Sequence, residues 1–381
     1  MKAYLRSLSA TIRHIFKDRA AVTTIIVASI IYAFYYPAAY QHQVATRMPV
    51  VAVDLDRSPA SRDLLRKLTA VRDIELKDTL GSLSEAERHI REGHAEGILV
   101  IDQRFQRDIL RGGQGKLTFL ASGALLGRAN TVSQGLAAAV AGFSSDAVLE
   151  QAQFLGLPAH AALTPIQRPL FNTREGYASA VVTGVSALIV HQTLLTGIIL
   201  ILGSYREERG GRIRLAASTL GGALTAFWLI GMTNMLFYSG FVFWFQDFPR
   251  GGNLAGLLLG TAIYIAALVA FGAFVGSFFR VREHAMQFVL MTSMPLYFLS
   301  GLSWPRTSIP TWLAYVADLL PSTSGIIAMV KFNQMGASVS EAMPELAKLF
   351  ALFVLYTSLS FLRYRMPNGA GSRHANGDPT Q

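Results

Sequence analysis

The chain of 381 residues has no cysteine. That excludes disulfides, a thiolate nucleophile, an iron–sulfur cluster and a cysteine-ligated zinc. Charge is also scarce, at 15% of residues, against roughly 25% in soluble domains. The shortage is local. No Asp, Glu, Lys or Arg occurs from Gly176 to Tyr205, Leu215 to Gln246, Gly251 to Phe279 or His284 to Pro305. A helix crossing a bilayer core needs ~20 apolar residues, so each run is long enough to span. A further run, Ala20 to Val44, exceeds a signal-peptide core and reads as a retained anchor. Leu349 to Leu362 is short; it reads as a sixth span with Lys348 and Arg363 snorkelling from its ends.

Nucleotide and metal motifs are missing as well. Gly115 and Lys116 look briefly like a phosphate loop, but Leu110 stands where its first Gly belongs and Leu117 replaces the Ser/Thr that would hold magnesium. The histidines lack metal-ligand spacing. Asp54 and Asp56 suit turn and cap chemistry better than a cation, because Arg57 follows and no third acid is near. The expectation is a chain that binds no metal or cofactor and hydrolyses no ATP itself.

The net charge of +10 invites a nucleic-acid partner, but its placement argues against one. Five Lys/Arg and one Asp precede Ala20. Four Arg and two Glu lie in Tyr205–Leu215, two Arg and one Glu in Arg280–His284, and three Arg and one Asp from Arg363 onward. With six spans these segments share one face, and the positive-inside rule places both termini in the cytoplasm.

About 130 residues of ordinary soluble composition separate the first run from the rest. Strands are expected at Pro49–Asp54, Ile98–Ile101 and Leu117–Leu120. Helices are expected after Ser58 and Pro59, after a capping box of Ser84 and Glu87, at Phe105–Leu110, and from Asn130 to Phe154. The fold class is therefore an α-helical membrane protein of six transmembrane helices with an inserted α/β extracytoplasmic domain. The segments are 1–19, an amphipathic cytoplasmic helix on the inner surface; 20–44, the first span; 45–175, the outer domain; 176–365, a five-helix block; and 366–381, a disordered cytoplasmic tail. Near 304–330, Trp304, Pro305, Pro310, Trp312 and Pro321 break the apolar pattern. They read as re-entrant outer helices, with Trp304, Trp312 and Tyr315 at headgroup depth.

Polar residues inside the runs are candidate lining of a translocation path: His191, Gln192, Asn234 and Gln287. An interhelical hydrogen bond is the alternative for each. The mixed-charge turn of Arg206, Glu207, Glu208, Arg209, Gly210 and Arg212 suits docking to another protein.

Several segments together resemble the permeases of the ABC-2 exporter family, in the subgroup with a large outer domain. They are Val53 to Pro59 with Ser61 and Arg62; Phe105 with Leu110 to Gly112; Pro169 to Asn172; Gly301 to Pro305 with Ile309, Pro310, Leu320 and Pro321; and Gly336. The resemblance implies one membrane half of an exporter in the bacterial inner membrane. ATP and magnesium would sit on a separate ABC ATPase subunit, and a second permease copy or paralogue would complete the pathway, with a periplasmic adaptor as a further partner. The 206–212 turn would couple to the ATPase, although Gly211 stands where that family commonly has Thr. A membrane-anchored receptor or assembly scaffold is the alternative; five spans beyond one anchor are excess for that role.

Overall fold

The computed structural model describes residues 1–38, 47–111, 113–121, 126–154, 177–207, 214–248, 250–279, 281–302, 304 and 306–365. The chain divides into two compact units, Met1–Gln43 with Pro169–Gln381, and Val44–Arg168.

The second unit is a four-stranded sheet of order β2-β1-β3-β4. Its elements run β1 (Met48–Asp54), α3 (Pro59–Ala70), β2 (Ile74–Leu80), α4 (Leu83–Arg91), β3 (Gly97–Ile101), α5 (Phe105–Leu110), β4 (Leu117–Ala121) and α6 (Leu126–Phe154). The central strand β1 pairs in parallel with β2 and β3, and β4 closes the edge antiparallel. Alternate β1 residues serve two cores, as a strand covered on both faces requires. Val50 packs with Leu64, Leu68, Leu99, Phe105 and Leu136, whereas Val51 and Val53 pack with Ala86, Ala95 and Ile98.

Local chemistry sets the helix starts. The Ser58 hydroxyl accepts from the Ser61 amide, with Pro59 in the first turn of α3. Helix α4 is capped by Ser82, which accepts from the Glu85 amide, not by Ser84 as expected. Two overlapping Ser-x-x-Glu patterns exist here, and the backbone uses the earlier. Strand β2 escaped the sequence reading because only its ends, Ile74 and Leu80, are buried. A polar edge strand carries no apolar alternation.

The first unit holds α1 (Lys2–Lys17), α2 (Arg19–Ala38), α7 (Tyr177–Glu207), α8 (Ala217–Phe245), α9 (Leu254–Gly276), α10 (Arg282–Leu299), α11 (Thr311–Asp318), α12 (Pro321–Asn333) and α13 (Met343–Arg365). Helices α2, α7, α8, α9 and α13 are long and apolar enough to cross a membrane. The apolar part of α10, Met286–Leu299, is shorter than a full crossing, and the helix ends at Leu299 after an internal Pro295. Helices α11 and α12 meet at 80°. The bend falls where Pro321 opens α12, because proline suits a helix start and not its interior.

Helix α7 is the most buried span and packs on α2, α8, α9, α10 and α12. Lipid gives helices no hydrophobic reason to associate, so close packing and interhelical hydrogen bonds must hold them. Both are present. Ile25 of α2 fills the space beside Gly197 of α7, and the Tyr264 ring of α9 packs against Gly325 of α12. At the other end of α12, the backbones of Gly336 and Gly251 abut so closely that neither admits a side chain. Gly336 also has φ +65°, a region that glycine enters freely. The Gly251 amide donates to the Asn333 carbonyl, and Asn253 Nδ2 donates to the Ala337 carbonyl at 2.6 Å.

Helix α1 docks on the first turns of α8 in addition to presenting a cationic face. The Tyr4 hydroxyl donates to Thr225 Oγ1 at 2.8 Å, and Ser7 Oγ donates to the Thr219 carbonyl at 2.6 Å. Gly222 leaves room for this crossing, since a Cβ there would overlap the α1 backbone. Thr11 and Ile15 are buried, while Leu5 and Phe16 stay exposed.

Candidate translocation and coupling sites

The polar residues of the spans separate into two groups. Asn234 belongs to a series of bonds from α8 to α2. Its Nδ2 donates to the Ile25 carbonyl at 2.9 Å, the Tyr238 hydroxyl to the Ser29 carbonyl at 2.6 Å, and Gln246 Nε2 to the Ala33 carbonyl at 2.9 Å. The acceptors are four residues apart, one face of a helix. Both helices contain a π-helical turn here, Thr23–Val27 in α2 and Phe237–Val242 in α8. Such turns widen the backbone ladder and leave carbonyls open to outside donors. Asn234 thus has a bonding role between two helices, the alternative weighed for it from sequence.

His191 differs. It is wholly buried on α7, with Nδ1 3.2 Å from the Tyr264 hydroxyl, which also lies 3.3 Å from the Ala187 carbonyl. Tyr264 was not singled out from sequence, and nothing in its apolar surroundings marks it. His191 Nε2 and both amide atoms of Gln192 are buried without a hydrogen-bond partner among the described residues. Gln287 lies elsewhere, exposed on α10. It shares a face with the exposed Met291, Met294 and Phe298, spaced as successive turns.

Of the turn expected to couple, Glu208, Arg209, Gly210 and Arg212 lie outside the described residues, as do Pro305 and the segment Pro169–Asn172. Glu207 ends α7. Arg206 is 4% exposed. Its Nη1 donates to the Phe279 carbonyl at 3.0 Å, and its guanidinium lies over the Tyr364 ring, 5.7 Å from the centroid. It therefore ties α7 to the ends of α9 and α13. Arg206→Ala is expected to lower the melting temperature of the detergent-solubilised chain by several degrees. A cation and its packing are lost together. Lysine restores the charge without the planar stacking, so Arg206→Lys should recover only part of the loss. Equal melting of all three proteins would remove this role.

In the broken segment, Trp304 and Trp312 are exposed, and α11 turns Trp312, Tyr315, Val316 and Leu319 outward together. Pro310 precedes the first residue of α11, and Pro321 begins α12 with its side chain buried. Asp318 joins Arg306 at 2.7 Å and Lys348 at 3.2 Å. Lys331 meets both Glu345 oxygens at 2.9 Å. In the turn after α12, the Ser338 amide and hydroxyl both donate to Glu341, holding its carboxyl below the ordinary range.

In the Val44–Arg168 unit, Asp54 and Asp56 are committed to local hydrogen bonds. Asp54 accepts from the Asp56 and Arg57 amides and from the Ser61 hydroxyl. Asp56 accepts from the Gln106 amide. A cavity of about 320 Å³ lies among Leu224, Trp228, Val269, Phe353 and Phe361; its lining is almost wholly apolar.

Five long apolar helices with buried polar side chains between them define a multi-spanning membrane protein. Residues 19–362 match the family described as ABC-2 family transporter protein, and the chain belongs to that family. It is similar to the inner membrane transport permease YhhJ of Escherichia coli (strain K12), 22% identical over 374 residues, covering 94% of this chain and 96% of that one. It is also similar to the linearmycin resistance permease protein LnrN of Bacillus subtilis (strain 168), 22% identical over 318 residues, covering 77% and 82%. Family membership makes it a transport permease subunit in a membrane and implies pairing with an ABC ATPase subunit.

Proposed function

We propose that this chain is the membrane half of an ATP-driven exporter of a bacterial inner membrane, with six crossings, both termini cytoplasmic and the Val44–Arg168 unit outside. The sorting of excess positive charge into the segments before Ala20, at 205–215, at 280–284 and from Arg363 onward carries this reading. Arg206 meets Phe279 and Tyr364 at one end of the bundle, and the Leu215 amide donates to the Tyr364 carbonyl. The contacts of Gly251 and Asn253 with residues 333–337 lie at the other end. Helix α10 starts just beyond Phe279, and Leu302 beyond its end packs at Gly184 near the start of α7. Over 18 residues a helix rises about 27 Å, which supports a sixth crossing with α11 and α12 dipping back from the outer side. Polar Gln287 on the bare face of α10 supports a second permease copy or paralogue covering it.

In this reading ATP closes a partner ATPase, which moves the 206–212 turn and α1. The bundle then shifts between two packed arrangements. A tagged chain purified in mild detergent from its native host should bring an ABC ATPase with it and raise that ATPase's turnover. Purification of an intact chain with no ATPase would overturn the exporter reading. A single reporter cysteine replacing Arg88 should be labelled only from outside intact cells.

A further inference from the structure

Helix α12 begins buried in the bundle, with no side-chain cap among the described residues. The first amides of any helix lack partners within it, and Leu320, at the cap position, supplies no side-chain acceptor. Ser322 and Thr323, in that first turn, are wholly buried. Neither Ser322 Oγ nor Thr323 Oγ1 has a hydrogen-bond partner among the described residues. Tyr264 links this turn to α7: its ring covers Gly325 and its hydroxyl meets His191. Ser322 lies three residues before Gly325, on the same side of α12. The buried, unpartnered His191 Nε2 and Gln192 amide are on the facing helix.

An unpartnered buried polar atom costs about 1–3 kcal/mol, so several of them on two packed helices are costly to leave unmatched. Their presence makes sense where another arrangement of the helices satisfies them. Ser, Thr, His and Gln supply both donors and acceptors. No charged side chain comes from the uncharged part of α7 or from α9, and Asp318 nearby is already held by Arg306 and Lys348.

We propose that the seam between the first turn of α12 and the His191–Gln192 stretch of α7 is a transport-state binding site for an uncharged hydrogen-bonding group, a hydroxyl or amide of the exported molecule. The seam is shut at rest and opens when α12 moves. The inference rests on the exporter reading above and adds the site and the chemistry it takes.

The absence of cysteine makes the test clean. Ser322→Cys, nearly isosteric, is reconstituted with the co-purified ATPase and treated with thiosulfonate reagents of similar size bearing a hydroxyl, a quaternary ammonium or a sulfonate. Ser360→Cys, buried between α9 and α13, is the control. After ATP and vanadate trapping, modification of Ser322→Cys by the hydroxyl reagent should rise at least tenfold, with the charged reagents at least tenfold slower and the control unchanged. An unchanged rate while ATPase turnover is normal overturns the site and leaves the exporter reading standing. Equal rates for all three reagents overturn it in favour of a plain water-filled path. Failure of any ATPase to associate overturns the exporter reading and this site with it.

Discussion

Replacing Gly325 by leucine should abolish recovery of a monodisperse chain from detergent. The Tyr264 ring lies where the new Cβ would go, and both residues are wholly enclosed between α9 and α12. Overpacking typically costs 1–3 kcal/mol. Here the displaced ring also carries the hydroxyl that meets His191 and Ala187, so relief by moving it breaks those contacts too. Alanine at 325 should give an intermediate loss. Adding Tyr264→Leu to Gly325→Leu should recover part of the yield, because the two positions compete for one volume. Size-exclusion profiles of the four proteins decide it. A normal profile for Gly325→Leu alone, or no recovery in the double variant, would show that this packing is wrong.

Asp54→Ala is the second large effect. The carboxylate is buried and receives two amides and a hydroxyl, closing the turn in which Arg57 takes φ 51°. Bonds to a charged acceptor contribute about 1.5–3 kcal/mol each, and the three share one side chain. A loss of roughly 3 kcal/mol or more is expected, read as rapid cleavage of residues 44–168 by trypsin in the full-length chain. Asparagine keeps the oxygen that closes the turn, so Asp54→Asn should remain mostly resistant. Equal sensitivity of both variants would mean that charge alone matters; resistance of both would mean that the turn is held by other contacts.

Those two residues also mark what the sequence can and cannot disclose. Asp54 was readable as turn chemistry because its donors lie within seven residues. Gly325 was silent, because its partner is on another helix and glycine carries no pattern of its own. The long spans followed directly from uncharged runs, and Pro321 announced the bend. The end of α10 did not follow, since Ser300, Gly301 and Leu302 extend the apolar run beyond the helix. The burial of Arg206 was silent for a related reason: Phe279 and Tyr364 meet it from segments more than seventy residues away. Asn234 could be weighed but not decided, because the Ile25 carbonyl it meets is on another helix, 209 residues away.

The contact between Gly251 and Gly336 restricts how the bent α11–α12 segment can move. With its far end held at the start of α9 by this contact and by the bonds of Gly251 and Asn253, α12 would have to break them to slide along its own axis or to leave as a free body. What remains is a swing, small at Asn333 and largest at Ser322. A pendulum of that kind would convert a slight tilt of its neighbours into a wide excursion at the depth of His191. A bulkier residue at position 336 would loosen the fulcrum and leave the hydroxyls intact.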